Sequence, residues 1–161
     1  MKHTISVQLR NNPGVLSRVT GLFSGRGFNI ESLCVAETMD CEISVLTIVS
    51  RGDAAVIEQI TKQLHKLIDV IKVTDMAEFP YVEREMVLLR MKAMENTRAE
   101  VLRIADIFRA KVIDVSAKTF TIEVTGSSSK VNACIELLRP LGIKEIVRTG
   151  TVAMARAPKN K

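Results

Sequence analysis

The chain has 161 residues, 47% of them apolar and 25% charged. That balance excludes a disordered or membrane-spanning protein and leaves room for one domain or two small ones. Net charge is +5 but uneven: residues 1–80 carry 8 Lys/Arg against 9 Asp/Glu, and residues 81–161 carry 15 against 9. The basic second half fits nucleic acid or an acidic protein partner; its cations are spread over several elements, and only Lys159 and Lys161 crowd the end. The longest apolar stretches, such as Ile43 to Val49, are broken by Ser and Thr and fall far short of the roughly 20 residues of a bilayer helix. The opening Met-Lys-His-Thr-Ile-Ser has no apolar signal core, so a cytoplasmic location with no membrane contact is expected.

Ile5, Val7 and Leu9 alternate with polar neighbours, the period of a strand with one buried face. Val15, Leu16, Val19, Leu22 and Phe23 then recur at helical spacing, with Pro13 expected as the first helical residue and a close near Gly25 and Gly27. Asn29 to Thr38 and Glu42 to Ser50 read as two strands joined at Met39-Asp40. Asp53 is placed to cap a helix whose apolar stripe is Val56, Ile57, Ile60, Leu64 and Leu67, and Val70 to Met76 follows as a strand. Ala77 to Tyr81, interrupted by Pro80, breaks the pattern and marks the expected domain boundary.

The same order then repeats. Met86 to Met94 alternates as a strand, Val101, Ile104, Ala105 and Phe108 share a helix face, and Val112 to Ser116 and Phe120 to Thr125 are two more strands. Val131, Cys134, Ile135 and Leu138 form a last helical stripe and Ile143 to Arg148 a last strand, while Ala157 to Lys161 is expected to fray. The fold class expected is α+β: two ferredoxin-like βαββαβ domains, over residues 1–77 and 78–161, each an antiparallel sheet with helices on one face.

Chemistry-bearing clusters are scarce. Cys34, Cys41 and Cys134 form no CxxC and cannot all pair, and His3 and His65 each stand alone, so neither a metal site nor a disulfide framework is expected. Gly25-Arg26-Gly27 lies at the wrong end of a helix for a nucleotide loop, and Thr125-Gly126-Ser127-Ser128-Ser129-Lys130 misses phosphate-loop spacing and reads as a turn with a helix cap. With no Ser/His/Asp or Cys/His set, catalysis by this chain alone is not expected. RNA recognition on the βαββαβ plan needs sheet aromatics, and Glu42 to Val49 has none, so no nucleic-acid partner is expected.

One segment stands out: Arg10-Asn11-Asn12-Pro13-Gly14-Val15-Leu16, between the first strand and first helix. Pro13 gives up an amide, Gly14 has no side chain, and the first-turn amides are open to an anion such as a small carboxylate, while Asn11 and Asn12 offer amide oxygens to an ammonium. A strand-to-helix turn without a ligand reads equally from these residues. The matching turn of the second repeat, Met94 to Glu100, has neither Pro nor Gly and reads as a capping box of Thr97 with Glu100, with Glu95 repelling a carboxylate. Asn29 ahead of the second strand suits either a turn or a second ligand contact.

Asn11 to Arg18, Gly21-Leu22-Phe23, Arg26 to Leu33, Gln63 to Leu67 and Val82 to Glu85 together resemble the regulatory small subunit of acetolactate synthase, also called acetohydroxyacid synthase. Pro-Gly-Val-Leu by itself marks only the broader ACT class of amino-acid sensors. The resemblance implies an N-terminal ACT domain for effector binding and dimerisation and a C-terminal domain that activates a large catalytic subunit. It implies no catalysis or cofactor in this chain; thiamine diphosphate, magnesium and FAD belong to that partner, which makes precursors of the branched-chain amino acids. It further implies a homodimer binding valine or a related amino acid through Asn11, Asn12, Pro13, Gly14, Val15 and Leu16 of one chain and Asn29 and Ile30 of its neighbour, with branched residues such as Val15 and Ile30 lining the side-chain pocket.

Overall fold

The computed structural model describes residues 2–157, so Pro158 to Lys161 of the expected frayed tail, with Lys159 and Lys161, lie outside the described residues. The chain forms two compact units, the first holding residues up to Val82 and those from Thr151, the second Glu83–Gly150. No helix among the described residues is long and apolar enough to cross a membrane.

The first unit runs β1 (Lys2–Arg10), α1 (Val15–Ser24), β2 (Ile30–Glu37), β3 (Ile43–Arg51), α2 (Ala54–Leu64) and β4 (Val70–Asp75). Its strands lie in the order β2-β3-β1-β4, antiparallel throughout, with β1 and β3 in register from Lys2↔Arg51 to Arg10↔Ile43. The alternation of β1 sends Ile5, Val7 and Leu9 to one face, where they bury with Leu46 and Ile48 against Val15, Val19 and Phe23 of α1 and Ile57, Ile60 and Leu64 of α2. Each such burial is worth roughly 1.5–3 kcal/mol. Asp53 caps α2 by accepting from the Val56 amide at 2.9 Å. Helix α1 closes through Gly27 at φ 69°, where the Phe28 amide turns back to the Phe23 carbonyl at 3.0 Å and the two rings meet edge-on at 6.4 Å.

In the second unit, β5 (Tyr81–Lys92, whose first two residues belong to the first unit), α3 (Glu95–Ile107), β6 (Lys111–Val115), β7 (Thr119–Gly126), α4 (Ser128–Leu138) and β8 (Ile143–Arg148) repeat the plan in the order β6-β7-β5-β8. Val87, Leu89 and Met91 of β5 and Phe120, Ile122 and Val124 of β7 bury against Val101, Ile104 and Ala105 of α3 and Val131, Cys134, Ile135 and Leu138 of α4. Both units are ferredoxin-like βαββαβ folds.

Four details differ from the sequence reading. Helix α1 starts at Val15, with Pro13 in the turn before it and Gly14 at the cap, because Gly14 takes φ 83°, a left-handed conformation that the helix cannot contain. The capping box of Thr97 with Glu100 does not form. Helix α3 starts at Glu95, so Thr97 is already inside the first turn; its Oγ1 is buried with no partner among the described residues and Glu100 pairs with Arg103 instead. Strand β5 begins five residues before Met86, its charged opening concealing the extended chain, because Glu85 is buried against Arg148. A short strand β9 (Val152–Ala155), too brief to register in the alternation, pairs with β5, and the Arg156 amide donates to Pro80 at 2.8 Å. The division between units accordingly falls after Val82 rather than at 77/78, and the segment from Thr151 groups with the first unit.

Candidate functional site

The segment Asn11 to Leu16 forms one exposed turn at the end of β1, held from below by backbone. The Arg10 amide donates to Asp69 at 2.8 Å and the Asn11 amide to Glu42 at 2.7 Å, so the loop is pinned to the β3 and β4 ends of the sheet. The Asn11 Nδ2 donates to the Cys41 carbonyl at 2.9 Å, which fixes the side-chain amide and leaves its oxygen as an acceptor. Asn11, Asn12, Pro13 and Gly14 are all exposed.

At Gly14 the chain turns left-handed and becomes the cap of α1, which no side chain caps, in contrast to Asp53 on α2 and Ser127 on α4. The Val15 amide bends back to Asn12 at 3.3 Å, and the Leu16 and Ser17 amides have no helical acceptor. Arg18 lies one turn on. Its Nη2 donates to Asp69 Oδ2 at 2.5 Å, and its Nη1 stands 4.0 Å from the place a Gly14 side chain would start. The turn therefore presents free amides, a helix start and a guanidinium to the same small space, a combination suited to a carboxylate. On the strand side a cavity of about 570 Å³ is lined by Arg10, Asn11, Asn12, Asp40, Cys41, Glu42, Ile43 and Ile71.

Of the residues singled out from sequence, Asn11 to Leu16 come together and Asn29 with Ile30 does not join them. Ile30 pairs with Ser50, and Ser50 with His3, at the start of β1, whereas Asn11 follows the other end of the same strand. Along the eight residues of β2 that separation is roughly 26 Å at about 3.3 Å per residue. Val15 is 2% exposed and belongs to the core, while Leu16 is 40% exposed. Ile30 packs partly onto the same core. Arg18, Asp69 and Cys41 were not picked out from sequence. Only the helical spacing from Gly14 to Arg18 pointed to the first, and nothing local pointed to the other two.

Among the described residues no group of three or more His, Cys, Asp or Glu could hold a metal ion. Cys134 is buried, and burial pushes its thiol above the usual range, against a smaller opposing pull from Lys130.

Two family models match the chain: an acetohydroxyacid synthase small-subunit-like ACT domain over residues 5–72 and the small subunit of acetolactate synthase over residues 84–157. The acetolactate synthase small subunit of Aquifex aeolicus is 54% identical over 96% of this chain and 81% of that protein. A probable acetolactate synthase small subunit of Archaeoglobus fulgidus is also 54% identical, over 99% of each. The crystal structure of a Thermotoga maritima acetolactate synthase small subunit superimposes with a TM-score of 0.89 at 43% identity, covering 98% of this chain and 99% of that one.

Proposed function

From its membership of the acetolactate synthase small-subunit family, we propose that this chain is the non-catalytic regulatory subunit that binds the large catalytic subunit, raises its activity and makes it sensitive to valine or a related branched-chain amino acid. The observation that carries the effector part is the uncapped start of α1 at Gly14 beside Arg18. The ligand carboxylate sits on the Leu16 and Ser17 amides, at roughly 1.5–3 kcal/mol for each charge-assisted bond. Its ammonium meets the oxygens of Asn11 and Asn12. Thiamine diphosphate, magnesium and FAD are assigned to the catalytic partner.

A homodimer accounts for Asn29 and Ile30. Strand β2 is an edge of its sheet and runs parallel to β1, with β3 antiparallel between them. Pairing β2 with its own copy about a two-fold axis makes the two β2 strands antiparallel. That reversal carries the partner's Asn29 and the partner's Ile30 across the 26 Å to the end where Asn11 to Leu16 stand, and it covers the exposed Val35. Each site then draws on two chains, so effector binding is linked to the geometry of the dimer. A coupling of about 1–3 kcal/mol to the catalytic subunit corresponds to a 5- to 150-fold effect.

Isothermal titration of valine into the purified chain, with leucine, isoleucine and alanine alongside, tests the reading. Saturable valine binding that Gly14→Asp abolishes is expected. A folded Gly14→Asp variant that binds valine as well as the parent would refute the assignment.

A further inference from the structure

The second unit has an open flank that the effector reading does not use. Among the described residues β6 pairs only with β7, and all five of its residues are exposed. Val112, Ile113 and Val115 are 40%, 50% and 59% exposed, and Ile107, at the end of the helix that packs over this strand, is 70% exposed. An open edge with this much apolar surface is ordinarily blunted by charged side chains or a bulge. Here the two charges are opposite. The register with β7 sets Lys111 against Glu123 and Asp114 against Thr121, with a shift between Val112 and Asp114. Glu123 and Thr121 lie two apart on β7, so Lys111 and Asp114 share one face of the sheet, while Val112 and Val115 share the other with Ile122 and Phe120.

We infer that β6 is a two-fold interface with a second copy of this chain, formed by antiparallel strand addition. A lysine and an aspartate three apart on one face complement each other under that symmetry: Lys111 faces the partner's Asp114 and Asp114 faces the partner's Lys111. Val112 falls opposite the partner's Ile113, and the helix α3 comes alongside its own copy through Leu102 and Ile107. Like charges at the two positions would repel under the same symmetry. The interface is separate from the β2 pairing of the proposed effector site and does not depend on it.

Two measurements on the full chain test this. The first is zero-length carbodiimide coupling after subunit exchange between ¹⁴N and ¹⁵N protein, read by mass spectrometry; a mixed-isotope peptide joining Lys111 to Asp114 is expected. The second is sedimentation over a dilution series. Lys111→Asp and Asp114→Lys should each raise the dissociation constant of the step they affect by about tenfold or more, since each replaces two attractive pairs with two repulsive ones, and the double reversal should return it to within about threefold of the parent. No mixed-isotope product, together with single reversals that leave association unchanged, overturns the inference. Coupling at β6 that occurs only to an added catalytic subunit assigns the edge to that protein and overturns it equally. Valine binding lost in Gly14→Asp with the β6 results intact would separate the two readings.

Discussion

Replacing Gly14 by alanine and by aspartate separates backbone strain from anion attraction at the start of α1. At φ 83° a side chain costs roughly 1–2 kcal/mol from local clash. No packing cost adds to it: among the described residues, chain neighbours aside, the new Cβ meets only Arg18 Nη1, at 4.0 Å. Gly14→Ala should therefore cost about 1–2 kcal/mol, and at 4–8 °C per kcal/mol for a unit of this size the first unit should melt at least about 4 °C lower. Aspartate tolerates the left-handed region better than alanine. Its carboxylate also gains about 0.3–1 kcal/mol from the helix start, with Arg18 alongside. Gly14→Asp should melt above Gly14→Ala although it is the larger change, while valine affinity falls in the opposite order, weakened in the alanine variant and lost in the aspartate one. Thermal melts followed by circular dichroism, paired with valine titrations, measure both. An aspartate variant less stable than the alanine variant would refute the claim that this turn attracts a carboxylate.

Three further outcomes are expected. Glu85 is 4% exposed and its Oε1 accepts from Arg148 Nε at 2.6 Å, a pairing that holds the guanidinium charged against its partial burial, so Glu85→Gln should lower stability by roughly 1–3 kcal/mol in urea unfolding. Thr97→Val replaces a buried hydroxyl that has no partner by a methyl of the same shape, and should raise stability by about 0.5–1 kcal/mol in the same assay. In the native protein at pH 8 iodoacetamide should label Cys41, which is exposed, well before Cys134, whose thiol is buried and pushed upward; equal rates by mass spectrometry would contradict that placement.

The fold was legible because periodicity carries it. The alternation of Ile5, Val7 and Leu9 and the helical stripes of α1, α2 and α4 fall in the two cores, except for Leu16, which is 40% exposed. What was hidden lay where local chemistry yields to tertiary contact. Glu85 looks like a surface charge until Arg148, 63 residues away, is seen to pair with it. Thr97 and Glu100 have capping-box spacing, yet the helix begins ahead of them at Glu95. At the candidate site, Pro13-Gly14 announced an unusual turn, but Asn11 is oriented by the carbonyl of Cys41 and Arg18 by Asp69, contacts 30 and 51 residues apart in the chain that no local pattern encodes. Val15 illustrates the reverse case: its place in the motif suggested a ligand contact, and its helical phase sends it into the core.

On the proposed function, each effector site is built from two chains, with Asn11 to Leu16 from one and Asn29 with Ile30 from the other. Mixing two defective variants tests it most directly. Gly14→Asp and Asn29→Ala should each fail to bind valine as homodimers. After subunit exchange in equal amounts, half of the dimers are mixed, and each mixed dimer regains one intact site, so calorimetry should recover about one quarter of the parent's valine sites at the parent's affinity. Recovery of that quarter is the predicted result. No recovery, with mixed dimers demonstrated by mass spectrometry, would contradict a shared site.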